Sequence, residues 1–479
     1  MLEAPAMLDK IQRASLLEEI TAIVGARYVL TEAADHVPYL TEPRNLFHRE
    51  VLAVVRPKTT AEVAAVLAVA SRHKIPVVPQ GGNTGLVGGQ VPDESPDSIL
   101  LSLTRLDRVR EVDPISNTMT VEAGLTLIKA QQVADAVDRF FPLSLASEGS
   151  CTVGGNLATN AGGVAVLAYG NARDLVLGVE VVLADGRVMN GLQKLRKDNT
   201  GYDLKDLFIG AEGTLGIITA AVLKLLPRPT VKVTAFCGLT SAEAGIALFS
   251  RIRAGAGNTL TTFELMPRLA INLVLRHVPT TRDPLAQSHA WYVLLELSGQ
   301  VGRSIEELGE ELIGGALTAG EIEDAALATS IEQANDFWRI RESITEAQRR
   351  EGASIKHDVS VPISSVPRFL IEADAAVEQL IPGAVTLGFG HIGDGNVHYN
   401  VFQPTGSDGR AFLSRWHEIG DAIYEVVERF NGSFSAEHGI GQLKRDVLAR
   451  VKDPTALDVM RGLKRLLDPQ GLLNPGKVL

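Results

Sequence analysis

PQGGNTGLVGGQVP, residues 79–92, follows the apolar run IPVV and places five glycines between Gly81 and Gly89. A loop of this kind can turn successive backbone N–H groups onto one anion, because no Cβ stands in the way. From these residues alone a long surface turn remains the alternative. Two further stretches bear on the choice: SEGSCTVGGNLATNAGG, residues 147–163, and GAEGTLGIITAAVLKLLP, residues 210–227. Three separated glycine-dense loops argue for a large ligand threaded against backbone. None is a Walker loop, because no Gly-Lys-Ser/Thr follows, and none is expected to open a helix as a dinucleotide fingerprint does.

Around these loops the chain reads as more than one packed region, since 479 residues exceed what a single core usually supports. Up to about Pro229, β-rich runs such as VLAVVRP, VVLADGRV and IITAAVLKLLP alternate with helical stretches. From Val231 the pattern becomes strand then amphipathic helix, repeated: VKVTAFCGL, AEAGIALFSRI, TTFELMP, RLAINLVLRHV, WYVLLELSG, SIEELGEELI. This predicts an antiparallel sheet with helices on one face. The division expected is 1–229, 230–430 and 431–479, the last segment returning to glycine-rich loops.

A net charge of -11 argues against an electrostatic partnership with nucleic acid or an anionic membrane surface, since either needs a basic surface. Any anionic substrate must meet a locally positive pocket. No apolar run approaches the roughly 20 residues needed to span a bilayer. Cys151 and Cys237 form neither a disulfide framework nor a C-x-x-C motif. The N-terminus, MLEAPAMLDKIQRASLLEEITAIVG, mixes acids and bases with helical periodicity rather than showing a secretory pattern. These features lead to the expectation of a cytoplasmic protein.

GFGHIGDGNVHYN, residues 388–400, fits G-x-G-x-x-G at Gly388, Gly390 and Gly393, yet carries His391 and His398. A nucleotide loop needs a helix after the third glycine. Instead Asp394-Gly395-Asn396 is turn chemistry and VHYNVF is β-prone, so a hairpin is predicted. On its second strand His398 and Asn400 share a face, with Val397, Tyr399 and Val401 on the other. SAEHGIG, residues 435–441, adds Glu437 and His438. Two imidazoles and a carboxylate match an open catalytic zinc site. Spacing alone also allows histidines that simply donate hydrogen bonds at a domain interface.

In NDFWRIRESITEAQRREG, residues 335–352, Arg341 and Thr345 lie at i and i+4 on one helical face. SIKHDVSVP then alternates, with Lys356, Asp358 and Ser360 on one side. Arg341, Thr345 and Lys356 can converge on a carboxylate, or be ordinary surface groups.

The three glycine loops, with LLDPQGLLNPGKVL at residues 466–479, resemble the FAD-binding fold of the vanillyl-alcohol oxidase and p-cresol methylhydroxylase superfamily. The resemblance implies an α+β, two-domain fold with an antiparallel-sheet substrate domain and a C-terminal segment returning to the flavin. It implies that Gly81, Gly82, Asn83, Thr84 and Gly85 hold the FAD pyrophosphate. Thr152, Gly154, Gly155, Asn156, Gly162 and Gly163, with Glu212 and Ile218, would line the rest, and Asn474 would approach from the C-terminal segment. Some relatives attach flavin through a histidine where this chain has Asn83, so noncovalent FAD is expected.

GHIGDGNVHYNV and SAEHGIGQLKRD resemble the metal-dependent D-2-hydroxyacid dehydrogenases of that superfamily. The resemblance assigns His391, His398 and Glu437 to a divalent ion, zinc first and manganese next, His438 to the catalytic base and Asn400 to substrate. R-x-x-x-T followed by K-x-D-x-S-x-P resembles the D-2-hydroxyglutarate branch, in which Arg341, Thr345 and Lys356 would grip a distal carboxylate. The implied substrate is a small dicarboxylate 2-hydroxy acid: D-2-hydroxyglutarate first, D-malate second, with D-lactate as runner-up. With no haem or iron–sulfur motif, a separate acceptor such as an electron-transfer flavoprotein or quinone would take the electrons, and a homodimer is allowed. Two other classes stay open: a metal-dependent hydrolase without flavin redox, and the superfamily's non-redox ether-lipid synthase branch.

Overall fold

The computed structural model describes residues 8–93, 97–300 and 304–479; the first seven residues of the N-terminal stretch lie outside them. By internal contacts the chain divides into two units. The first comprises residues up to Gly163, Gly170–Arg228 and His438–Leu479, and the second Val164–Tyr169 and Pro229–Glu437. The return expected near residue 431 thus begins at His438, and a short excursion leaves the first unit at 164.

In the first unit a small sheet orders Val29–Leu30, Ala53–Val55, Ile99–Ser102 and Val77–Gln80, with the last three parallel. The helix Thr60–His73 makes the crossover: Thr59 caps its start by accepting the Glu62 amide, and Lys74 ends it in the left-handed region. Leu16, Ile20, Val55, Leu67 and Leu101 build the core beneath. The strand Val77–Gln80 runs directly into the first glycine loop, so a rigid parallel strand delivers that loop. The C-terminal segment extends this sheet. The Val77 amide donates to Leu472 O and the Asn474 amide to Val77 O, each at 2.8 Å.

A second, antiparallel sheet orders Val109–Asp113, Thr118–Glu122, Ile217–Lys224, Val176–Val182 and Val188–Gly191. Its central strand, IITAAVLK, is buried at nearly every position, which explains its uninterrupted apolar run.

The second unit is a seven-stranded antiparallel sheet in the order Asp324–Leu327, Val231–Leu239, Trp291–Gly299, Leu260–Pro267, Val385–His391, Asn396–Phe402, Ser354–Ser360. Helices cover both faces, not one. Arg268–His277 and Ile331–Gln348 pack through Ile271, Val274, Phe337 and Ile344 on Phe236, Leu294, Leu387 and Phe389. On the opposite face Phe249 of the helix Ala242–Ala256 meets Phe263 edge-on, and Phe369 of Val366–Leu380 meets Tyr399. The physical reason is visible in WYVLLELSG, whose strand is buried at successive positions: apolar residues on both sides require cover on both sides.

Candidate functional site

The first-unit loops close on one another. A Cβ on Gly81 would fall 2.3 Å from Thr152 Oγ1, and one on Gly82 would fall 1.9 Å from Ser150 O. Only glycine permits that approach between the first and second loops. The second loop, unlike the expectation, does open a helix: Thr152 caps Val153–Ala158 by accepting the Gly155 amide, and Gly154 and Asn156 are buried within it. At six residues it is too short to be legible against its glycines. Gly162 and Gly163 follow it, both buried.

Glu212, in the third loop, donates its amide to Ala158 O at 2.8 Å. Its carboxylate accepts the amides of Ile440 (2.6 Å) and Gly441 (2.8 Å). Desolvation raises the Glu212 pKa, and those two amides oppose the rise. The carboxylate is therefore occupied by backbone amides, and Glu212 shapes the loop instead of offering a free side chain to a ligand. Ile218 lies buried on the adjoining strand. Asn474 binds both Gly89 O (2.8 Å) and Glu212 O (2.7 Å), tying the C-terminal segment to the first and third loops.

Asn83 sits at φ +56°, a conformation asparagine tolerates. Its Nδ2 donates to Thr41 O (2.9 Å) and Pro38 O (3.2 Å). The Oδ1 atoms of Asn83 and Asn474 are buried without a partner. Orphaned acceptors beside a side-chain-free backbone cradle fit a polar ligand that supplies the missing hydrogen bonds. Gly81 and Gly82 leave that cradle open, and Thr84 and Gly85 continue it half-buried.

The second unit carries a polar row. Across the strand ladder His398 opposes Asp358 and Phe389, while Asn400 opposes Lys356 and Leu387. His391 opposes Glu264 on the next strand. Paired residues on antiparallel strands point to the same side, so all these side chains share the face covered by Ile331–Gln348. The predicted hairpin is present: strands Val385–His391 and Asn396–Phe402 flank the short turn Ile392–Asp394. Gly395 closes it at φ +82°, where a Cβ would meet Val361 O at 2.2 Å.

His391, His398 and Glu437 offer ligand atoms that all lie within 4.8 Å of one another. His391 Nε2 is 3.9 Å from Glu437 Oε1, and the two imidazole centroids are 5.3 Å apart. Asp358 supports the cluster: it accepts the Glu437 amide and the Asn396 side-chain amide, each at 2.8 Å, and lies 3.7 Å from His398 Nδ1. Two nitrogens and one oxygen at this spacing fit an open divalent-ion site with room for further ligands. Burial and neighbouring acids both act on the carboxyls of this cluster. Desolvation raises Asp394 to about 6. Glu437 is also raised, first by burial and then by Asp358, Asp394 and Glu264, with His391 opposing. A cation would relieve that crowding.

Glu264 was not foreseen. It is fully buried, and its two oxygens are taken by His391 Nδ1 (2.5 Å) and Arg341 Nε (2.6 Å). Burial opposes its ionisation, but Arg341 and His391 outweigh it and hold the carboxyl down to about 2. Burial likewise opposes protonation of His391, and the Glu264 charge overcomes it, raising the imidazole to about 9. The available signal is a lone acid in the otherwise uncharged TTFELMP. Arg341 also stacks 5.0 Å from the Phe389 ring centroid. Gln348, buried two turns on from Arg341, accepts the Asn400 amide at 2.7 Å. Thr345, between them, is solvent-exposed. Lys356 and Asn400 thus share the sheet face that Arg341 meets from the covering helix, while Thr345 of that helix is exposed.

Residues 51–191 match the FAD binding domain model, and residues 228–478 match that of the FAD linked oxidases, C-terminal domain. A probable mitochondrial D-2-hydroxyglutarate dehydrogenase from rice (Oryza sativa subsp. indica) is 40% identical over 425 residues, which is 88% of this chain and 74% of the rice protein. The chain belongs to the D-2-hydroxyglutarate dehydrogenase family of FAD-linked oxidases. A family member from Xanthomonas citri pv. viticola is 36% identical over 95% of both chains. Among solved structures, p-cresol methylhydroxylase superposes with a TM-score of 0.78 at 18% identity, over 99% of this chain and 98% of that one, and so shares the fold. The protein is thus an FAD-dependent dehydrogenase of the p-cresol methylhydroxylase fold: the fold is the one its glycine loops implied, and the activity the one implied by residues 390–401 and 435–446. No helix among the described residues is long and apolar enough to cross a membrane. The rice relative is mitochondrial by name, and the cytoplasmic expectation gains no support from it.

Proposed function

We propose that this dehydrogenase oxidises D-2-hydroxyglutarate to the 2-oxo acid with a divalent ion, zinc or else manganese, held by His391, His398 and Glu437. The observation carrying the reading is the convergence of those three ligand atoms beside the sheet face that carries Lys356 and Asn400 and that Arg341 meets from the covering helix. FAD, when bound, supplies the hydride acceptor. A divalent ion, when bound, lowers the pKa of the substrate 2-hydroxyl by several units, as it does for water.

The chain's own residues do the rest. His438 takes the hydroxyl proton on an imidazole nitrogen, a transfer suited to neutral pH. Arg341 and Lys356 bind the distal carboxylate and give a net-negative protein the local positive charge a dianion requires. Asn400, set by Gln348, orients the substrate through its side-chain amide. The first-unit loops hold FAD without a covalent bond. Electrons then leave to a separate acceptor, an electron-transfer flavoprotein or a quinone.

D-malate, shorter by one methylene, is the second substrate of this reading. D-lactate lacks the distal carboxylate that this reading gives Arg341 and Lys356 to bind, and the hydrolase and ether-lipid readings leave a dehydrogenase family unexplained. Anaerobic mixing of the yellow protein with each D-2-hydroxy acid tests the assignment. D-2-hydroxyglutarate should bleach the flavin fastest, and removing metal should stop bleaching. Equal bleaching by D-lactate, or full bleaching without metal, overturns the corresponding part.

A further inference from the structure

We propose that Glu264 is a shared positioning residue, whose buried carboxylate sets the His391 imidazole for metal ligation and the Arg341 guanidinium for the substrate's distal carboxylate. The inference rests on the metal and dicarboxylate reading above and adds a residue to it.

Glu264 is fully buried, and each of its oxygens has one partner: Oε1 the His391 Nδ1 at 2.5 Å, Oε2 the Arg341 Nε at 2.6 Å. The strand register puts Glu264 opposite His391, so the backbone itself fixes the first contact. With Nδ1 engaged, Nε2 is the nitrogen presented to Glu437, at 3.9 Å. A carboxylate behind a ligating histidine selects the tautomer and the ring orientation that a metal needs. On the other side, guanidinium is planar, so holding Nε fixes the direction of its terminal fork, and Phe389 beneath fixes the plane. Stability alone is a weak reason for such an arrangement, because buried charge clusters are often no better than apolar packing. A group that joins a metal ligand to a substrate cation has a functional reason to stay. One side chain then makes metal affinity and selectivity for a second carboxylate depend on each other.

The test uses the full-length, FAD-loaded protein stripped of metal. Zinc is titrated by equilibrium dialysis, and kcat/KM is compared for D-2-hydroxyglutarate and D-lactate after reloading. In Glu264→Gln, one amide oxygen replaces two acceptors and an NH2 group meets a donor. Zinc affinity is expected to fall about 10- to 100-fold, and the preference for D-2-hydroxyglutarate is expected to fall with it. Glu264→Asp keeps the charge but withdraws it by a methylene, so the same two losses are expected even if the glutamine variant does not fold. Wild-type zinc affinity in a folded variant, or loss of zinc with the substrate ratio intact, overturns the inference. Wild-type protein that takes up neither zinc nor manganese in the same dialysis instead overturns the metal reading itself.

Discussion

Glu212 holds Gly441: its Oε2 accepts the Gly441 amide at 2.8 Å while Oε1 accepts that of Ile440 at 2.6 Å. Gly441 is at φ +51°, and a Cβ there would lie 2.2 Å from Val87 O. The chain leaving His438 is thus pinned between a buried carboxylate and the first glycine loop. Glu212→Ala strands two amides, each at a cost of about 1–3 kcal/mol. The expected result is a lower melting temperature, weaker FAD retention and a lower kcat, with zinc content unchanged. Wild-type kcat in this variant would show that the pinning is irrelevant to His438.

His438→Ala should retain its metal while kcat drops roughly 100- to 10,000-fold, the usual cost of losing a general base. Metal analysis of the purified variant decides between roles. Loss of the ion would move His438 into the coordination shell.

Arg341→Ala should lower kcat/KM for D-2-hydroxyglutarate by roughly 10- to 150-fold, the worth of a charge-assisted hydrogen bond. It also leaves Glu264 with His391 as its one remaining charged partner, a structural defect that depresses every substrate alike. The ratio to D-lactate cancels that defect. An unchanged ratio in both Arg341→Ala and Lys356→Ala would make a monocarboxylate the better substrate.

Acid precipitation should release all of the yellow colour into the supernatant. Asn83 spends its amide on Thr41 O and Pro38 O, and offers no nucleophile to the flavin. Flavin remaining with the pellet would show a covalent link.

Lys477 gives a pH-dependent stability. It is 2% exposed, and its ammonium donates to Pro475 O at 3.0 Å. Desolvation lowers its pKa to about 8, with Asp93 opposing and Arg49 and Arg445 assisting. The folded value lies below the ordinary one, so the native state disfavours the cation. That cost is full below pH 8 and vanishes as the pH rises toward 10.5. Lys477→Met should therefore gain about 1–3 kcal/mol at neutral pH, and less as the pH is raised. Urea titrations at pH 7 and at pH 9.5 read the difference, and an equal gain at both would refute the cause.

What the sequence determined by itself is what local rules govern. Alternation with period two placed His398 with Asn400, and Lys356 with Asp358, on common faces, because side chains in any strand alternate whatever their neighbours. Asp394-Gly395-Asn396 announced the turn, and the glycines announced where backbone must approach closely. Tertiary structure alone decided the partners. Glu264 meets Arg341 across 77 positions and His391 across 127, and Glu212 meets Gly441 across 229. Which strands become neighbours depends on the burial of whole faces, and no spacing within one segment encodes it. The same cause hid the second layer of helices. An unbroken apolar strand shows that both sides are buried, whereas what buries them is settled only when the chain packs.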